Sequence, residues 1–152
     1  EKVWKYWEVP NFKQKKLQTI DEVSLLNELE VLLENSVKKQ LCADVPVGVL
    51  LSGGVDSSIL TALASRSVDN LKTFCMSFPG YGKLDEKKHA RLISDYFGSE
   101  HIELEAEKSS VSILPKLVHY FDEPIVDSSM IPTFLISQLV SKHCKVALGG
   151  DG

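Results

Sequence analysis

The stretch Val47–Ser65, VGVLLSGGVDSSILTALAS, constrains this chain more than any other. An apolar run of strand length, Val47 to Leu51, ends in Ser52-Gly53-Gly54 and is followed by an apolar, helix-like run from Ser57 to Ser67. A buried strand that turns on glycine into a helix opens a parallel βαβ unit. Pro46 stops any helix coming from upstream, so the unit starts cleanly.

The rest of the chain repeats the alternation. Leu71–Phe78 reads as a second strand, and Asp85–Phe97 as a helix with Ala90, Ile93 and Phe97 on one face and Gly98 as its stop. Ser99–Glu105 sets His101, Glu103 and Glu105 opposite Ile102 and Leu104, the pattern of a strand near a sheet edge. Helical spacing returns over Val111–Phe121, started or kinked by Pro115, and again from a cap at Ser128 or Ser129 to about His143, with Pro132 in the first turn. Val146–Leu148 is a short fourth strand. Upstream, Thr19-x-x-Glu22 can form a capping box for a helix whose Leu26, Leu29, Leu33, Val37 and Leu41 share one face. Residues 1–45 are thus expected to be a lead-in and an amphipathic helix packing on the domain formed by 46–152. The fold class expected is α/β: a doubly wound, mostly parallel sheet with helices on both faces.

Ligands of such sheets bind beyond the carboxyl ends of the strands, where strand order reverses. Two strands here end in glycine loops, Ser52-Gly53-Gly54 and Gly149-Gly150-Asp151-Gly152. In a doubly wound order the first and fourth strands are neighbours, and both loops face one crevice.

Composition narrows the ligand. A net charge of −4 over 152 residues gives no basic footprint for nucleic acid, and Lys13, Lys15 and Lys16 read as a solvated loop. The cysteines, Cys42, Cys75 and Cys144, form no C-x-x-C pair, and His89, His101, His119 and His143 lack metal-ligand spacing. Reduced cysteines, no membrane-length apolar run and no signal peptide lead to an expected cytoplasmic location without membrane partners. Glu1 is not a methionine and Gly152 follows directly on a strand-like run, so the chain reads as a piece of a longer protein, truncated at its C-terminal end.

The first loop suits an anion. Gly53 and Gly54 allow a tight turn with close backbone approach, the following helix adds its N-terminal donors, and Ser52, Ser57 and Ser58 add hydroxyls. A lysine-bearing phosphate loop is excluded because Val55 follows Gly54; G-x-G-x-x-G and G-x-S-x-G also fail on spacing. Asp56 is the unusual member. A carboxylate repels a phosphate unless a cation lies between them, and Mg²⁺ pairs one or two carboxylates with substrate phosphates.

S-G-G-x-D-S after an apolar strand resembles the pyrophosphate loop of the ATP-pyrophosphatase (PP-loop) superfamily. VPVGVLLSGGVDSSILTALAS is similar to the synthetase domain of the glutamine-hydrolysing asparagine synthetases. FDEPIVDSSMIPTFLISQLVSKHCKVALGGDG resembles that family's second block, and YWEVP its preceding linker. The resemblance implies an adenine nucleotide alpha hydrolase-like fold and an ATP-dependent carbon–nitrogen ligase of asparagine biosynthesis. ATP would activate the side-chain carboxylate of aspartate as an acyl-adenylate with loss of pyrophosphate, and ammonia would displace AMP.

By position, the resemblance implies Leu51 at the adenine or ribose side and Ser52, Gly53, Gly54, Ser57 and Ser58 at the pyrophosphate. It implies Asp56 as a Mg²⁺ ligand, the Met76 backbone at adenine, with a core methionine as the equal alternative, and Gly149 and Gly150 along AMP. Asp151 is implied as proton acceptor or metal partner. Asp127, Ser128 and Ser129 fall near the region for the carboxylate substrate. The partners implied are ATP, aspartate or a similar carboxylate, and ammonia from a glutaminase domain outside this segment; a homodimer of the full-length protein is compatible with it. The glutaminase nucleophile and a later phosphate-facing lysine are absent from these residues, so the segment alone is expected to be inactive. Amidation of another carboxylate, β-lactam closure, and a non-catalytic nucleotide-binding module are the alternatives.

Overall fold

The computed structural model describes residues 2–9, 21–77, 86–105, 112–121, 127 and 129–150. The chain divides into two compact units, 1–32 and 33–152. The boundary falls inside α1 (Glu22–Leu41).

In the first unit an exposed Lys5–Glu8 ion pair, 2.8 Å long, marks the lead-in. Asp21 caps α1: its Oδ2 accepts from Ser24 N–H at 3.2 Å and from Ser24 Oγ at 2.7 Å. These bonds hold the Asp21 carboxyl below its usual range. The cap therefore differs from the expected capping box. Glu22 is the first helical residue rather than the third, and Thr19 lies outside the described residues.

The second unit carries β1 (Val47–Leu50), α2 (Val55–Ser65), β2 (Lys72–Ser77), α3 (Lys87–Phe97), β3 (Glu100–Glu105), α4 (Leu114–Tyr120), α5 (Met130–Val140) and β4 (Val146–Leu148). The strands form one sheet in the order β3-β2-β1-β4, every described pair parallel. Val49 pairs with Thr73 on one side and with Leu148 on the other. The chain steps β1 to β2 to β3 in one direction and then crosses back to β4. A single crossover hand then puts α2 and α3 on one face and α5 on the other.

The alternation of side chains along the strands shows these two faces. Val49 and Leu148 pack with Leu63 and Ala64 of α2, and Leu51 and Cys75 with Ala90 and Ile93 of α3. On the opposite face Leu50, Phe74, Ile102 and Ala147 pack with Ile136, Leu139 and Val140 of α5. The α/β doubly wound fold expected from the sequence is the fold observed. Edge strand β3 is also as its alternation required, and Gly98 ends α3 in the left-handed conformation, φ 66°.

Val37 and Leu41 join the core beside β1 and β4, while Leu26 and Leu29 of the same apolar row are exposed. α2 starts at Val55 and not at Asp56 or Ser57, because Gly54 is already extended as its N-cap (φ −71°, ψ 168°). Ser129, at the N-cap of α5, makes no side-chain cap; Asp127 does this, its Oδ1 accepting from Ser129 N–H at 2.8 Å. Ser128 lies outside the described residues. Pro115 and Pro132 both sit in first turns, where no intrahelical N–H bond is lost. No helix among the described residues is long and apolar enough to cross a membrane.

Candidate nucleotide site

The carboxyl end of β1 delivers Leu51 and Ser52. Leu51 is buried, and its N–H donates to Phe74 O at 2.8 Å, which locks the strand end to β2. The chain then turns on Gly53 at φ +83°, a conformation that L side chains rarely adopt. There is also no room for one: a Cβ on Gly53 would lie 2.7 Å from Ala90 N and from His89 Cβ. The loop is thereby seated on the first turn of α3.

Serine hydroxyls close the loop from within. Ser52 Oγ and Ser57 Oγ are 2.9 Å apart, and Gly54 N–H donates to Ser52 Oγ at 3.3 Å. Gly54 O accepts from Ser57 Oγ at 3.3 Å, Ser58 Oγ at 2.6 Å and Ser58 N–H at 3.0 Å. Ser58 N–H is the first to close a helical turn, so the N–H groups of Val55, Asp56 and Ser57 remain for a ligand. They coincide with the positive end of the α2 dipole, a setting typically worth about 0.3–1 kcal/mol for a neighbouring anion.

The β4 loop completes the site. A Cβ built on Gly150 would stand 2.8 Å from Ser57 N and 3.1 Å from Ser57 Cα. Only glycine lets that backbone lie against the start of α2. The two glycine loops thus meet at the reversal of strand order.

They border an open cleft of about 330 Å³. Leu51, Ser52, Gly54, Asp56, Ser57, Met76, Gly149 and Gly150 all line it; Gly53 and Ser58 stand behind that lining as supports. Asp151 lies outside the described residues. Seven lining residues were not foreseen: Leu50, Phe74 and Cys75 on the strands, Glu86 just ahead of α3, and Pro132, Thr133 and Ile136 of α5. Glu86 and α5's first turn reach the cleft through the path of the chain across the sheet, at the strands' carboxyl ends where such folds bind ligands. A larger cavity of about 510 Å³, between the later turns of α1 and α2, shares Asp56, Gly149 and Gly150 with the cleft. Its other lining is mostly apolar, and the loop serines do not face it.

Among the described residues no three His, Cys, Asp or Glu side chains converge on a point that could hold a metal. The donor set suits instead a cation that arrives with a phosphate ligand: two carboxylates, Asp56 and Glu86, line the cleft beside the N–H groups at the start of α2.

Comparison with known proteins agrees with this fold. Among solved structures, NMN synthetase from Francisella tularensis superposes with a TM-score of 0.56 at 16% identity, over 83% of this chain and 54% of its own. NH3-dependent NAD synthetase from Campylobacter jejuni superposes with a TM-score of 0.53 at 17% identity, over 88% and 58%. At that identity the likeness is one of fold. "Asparagine synthetase [glutamine-hydrolyzing] 1" of Bacillus subtilis is 35% identical over 145 residues, 93% of this chain and 22% of that protein. The chain spans between 22% and 28% of the length of three curated relatives it matches. The profile of the asparagine synthase family matches residues 28–152, which include both glycine loops and every described residue of the cleft. The chain belongs to the asparagine synthase family.

Proposed function

We propose that this chain is the ATP-binding part of an ATP-dependent ligase that converts a carboxylate, aspartate or one like it, to its amide. The observation that carries the reading is the convergence of two glycine loops on the N-terminus of α2, with Gly150 against Ser57 N. Such a site offers several N–H donors to a polyphosphate and leaves no side chain in its way.

In this reading Leu51 and Met76 border the adenosine, and Ser52, Gly53, Gly54, Ser57 and Ser58 form and brace the pyrophosphate loop. Gly149 and Gly150 lie along the α-phosphate side. Asp56 would hold Mg²⁺, which when bound offsets phosphate charge. A substrate carboxylate oxygen attacks the α-phosphorus, the bond from that phosphorus to the bridging oxygen breaks, and pyrophosphate leaves. Ammonia then attacks the acyl carbon, the bond from that carbon to the AMP oxygen breaks, and AMP leaves. The nitrogen sheds a proton, for which Asp151 is the proposed acceptor. The loop N–H groups act on charge that grows on the leaving pyrophosphate, where fixed donors give the most. Ammonia would come from glutamine hydrolysed by another part of a full-length protein.

The test is isotopic, in a full-length family member carrying this segment. Substrate labelled with ¹⁸O in its carboxylate should pass one label to AMP. Label in pyrophosphate, or in neither product, contradicts the acyl-adenylate route.

A further inference from the structure

Behind the cleft, α3 is tied to the sheet edge by an unusual set of polar side chains. Glu103, on β3, is only 12% exposed in its side chain and receives two cations from α3. Arg91 reaches its Oε1 at 2.7 Å through Nη2 and 2.9 Å through Nε, and Lys87 reaches its Oε2 at 3.1 Å. Lys87 also bonds Glu105 at 2.9 Å. Burial raises the Glu103 pKa, and hydrogen bonds from Lys87 and Arg91 more than reverse this, so it lies below its usual range. Beside it the His101 imidazole, 4% exposed, bonds Thr73 Oγ1 through Nδ1 at 2.9 Å; its buried Nε2 has no hydrogen-bond partner and stands 3.7 Å from Glu103 Oε1.

The helix so held is the one on which the phosphate loop rests. Lys87 is the first residue of α3, Arg91 is one turn on, and between them His89 and Ala90 meet Gly53. Glu86, just ahead, lines the cleft. A displacement of this turn toward the loop meets Gly53.

We infer that Glu103 is a positioning residue for the nucleotide site: through Arg91 and Lys87 it fixes the first turns of α3, and through Gly53 the N–H groups of the phosphate loop. The inference rests on the nucleotide reading above. Charge-assisted hydrogen bonds, here two guanidinium nitrogens on one carboxylate oxygen and an ammonium on the other, are stronger than neutral ones and hold position as well as energy. Loss of the carboxylate should loosen the loop while leaving the cleft's own residues untouched.

The experiment is calorimetric titration of the whole chain with Mg–ATP, well below its melting temperature. Glu103→Gln should weaken binding about three- to tenfold, within the span for residues that couple separated sites. Arg91→Met and Lys87→Met, whose side chains are 54% and 33% exposed, should weaken it in the same direction even if Glu103→Gln fails to fold. Glu103→Asp should restore part of the loss. A merely structural ion pair would lower the melting temperature and leave the affinity alone, so folded variants that bind as tightly as the unaltered chain overturn the inference. No binding by the unaltered chain overturns the nucleotide reading, and this inference with it.

Discussion

Gly150 and Asp56 carry opposite burdens at the same helix end. Gly150 must be small: a methyl group there would meet Ser57 N at 2.8 Å, so either the β4 loop or the start of α2 must shift. Overpacking of this kind costs about 1–3 kcal/mol, and the shift falls on the donors proposed for phosphate. Gly150→Ala is expected to weaken Mg–ATP binding about tenfold or more, by the same arithmetic, as read by titration calorimetry, while circular dichroism stays unchanged. The proposed metal role of Asp56 rests on its carboxylate. Asp56→Asn should abolish the difference in melting temperature between ATP with Mg²⁺ and ATP with EDTA, while keeping the shift that ATP alone produces. An undiminished magnesium effect in the variant would remove the metal role of Asp56.

At the scale of elements, the polar layer between α3 and β3 gives a pH dependence with a definite sign. Burial pushes the His101 imidazole below its ordinary value of 6.5; Glu103 and Asp95 oppose this and Arg91 adds to it. Unfolding restores the ordinary value, so the unfolded chain binds more protons below about pH 6.5. Stability is therefore full above that pH and declines as pH falls toward the depressed folded value, with a slope of at most about 1.4 kcal/mol per pH unit. His101→Phe should flatten this segment of the denaturation profile between pH 7 and 5, and an unchanged slope would assign the acid sensitivity elsewhere. The element boundaries show what sequence could and could not give. Periodicity located the helices and strands because core contacts enforce it, as with Ala90 and Ile93 under Leu51. It misplaced caps, because neighbouring polar side chains can serve the same N–H groups and only geometry decides: Asp21 accepts from Ser24 N–H and Asp127 from Ser129 N–H.

For the molecule as a whole, the site was more legible than its surroundings. Strand order follows from alternation and crossover hand, so two glycine loops far apart in sequence could be brought together before any coordinates, and β1 and β4 are indeed neighbours. Glu86 and Thr133 were illegible because no local pattern marks them; they line the cleft only through the path of the chain across the sheet. The Glu103 cluster was half-visible: its alternation marked an edge strand, but the burial of its charges depends on α3 covering it. The central claim is that the cleft between the glycine loops is the nucleotide site. Its most direct measurement is a titration of the ¹⁵N-labelled chain with Mg–ATP, followed by amide chemical shifts. The largest shifts should fall on Gly54, Val55, Asp56, Ser57, Gly149 and Gly150, with little change at Leu33, Val37 or Gln40 of the neighbouring apolar cavity. Shifts centred on that cavity, or none at millimolar ATP, would contradict the claim.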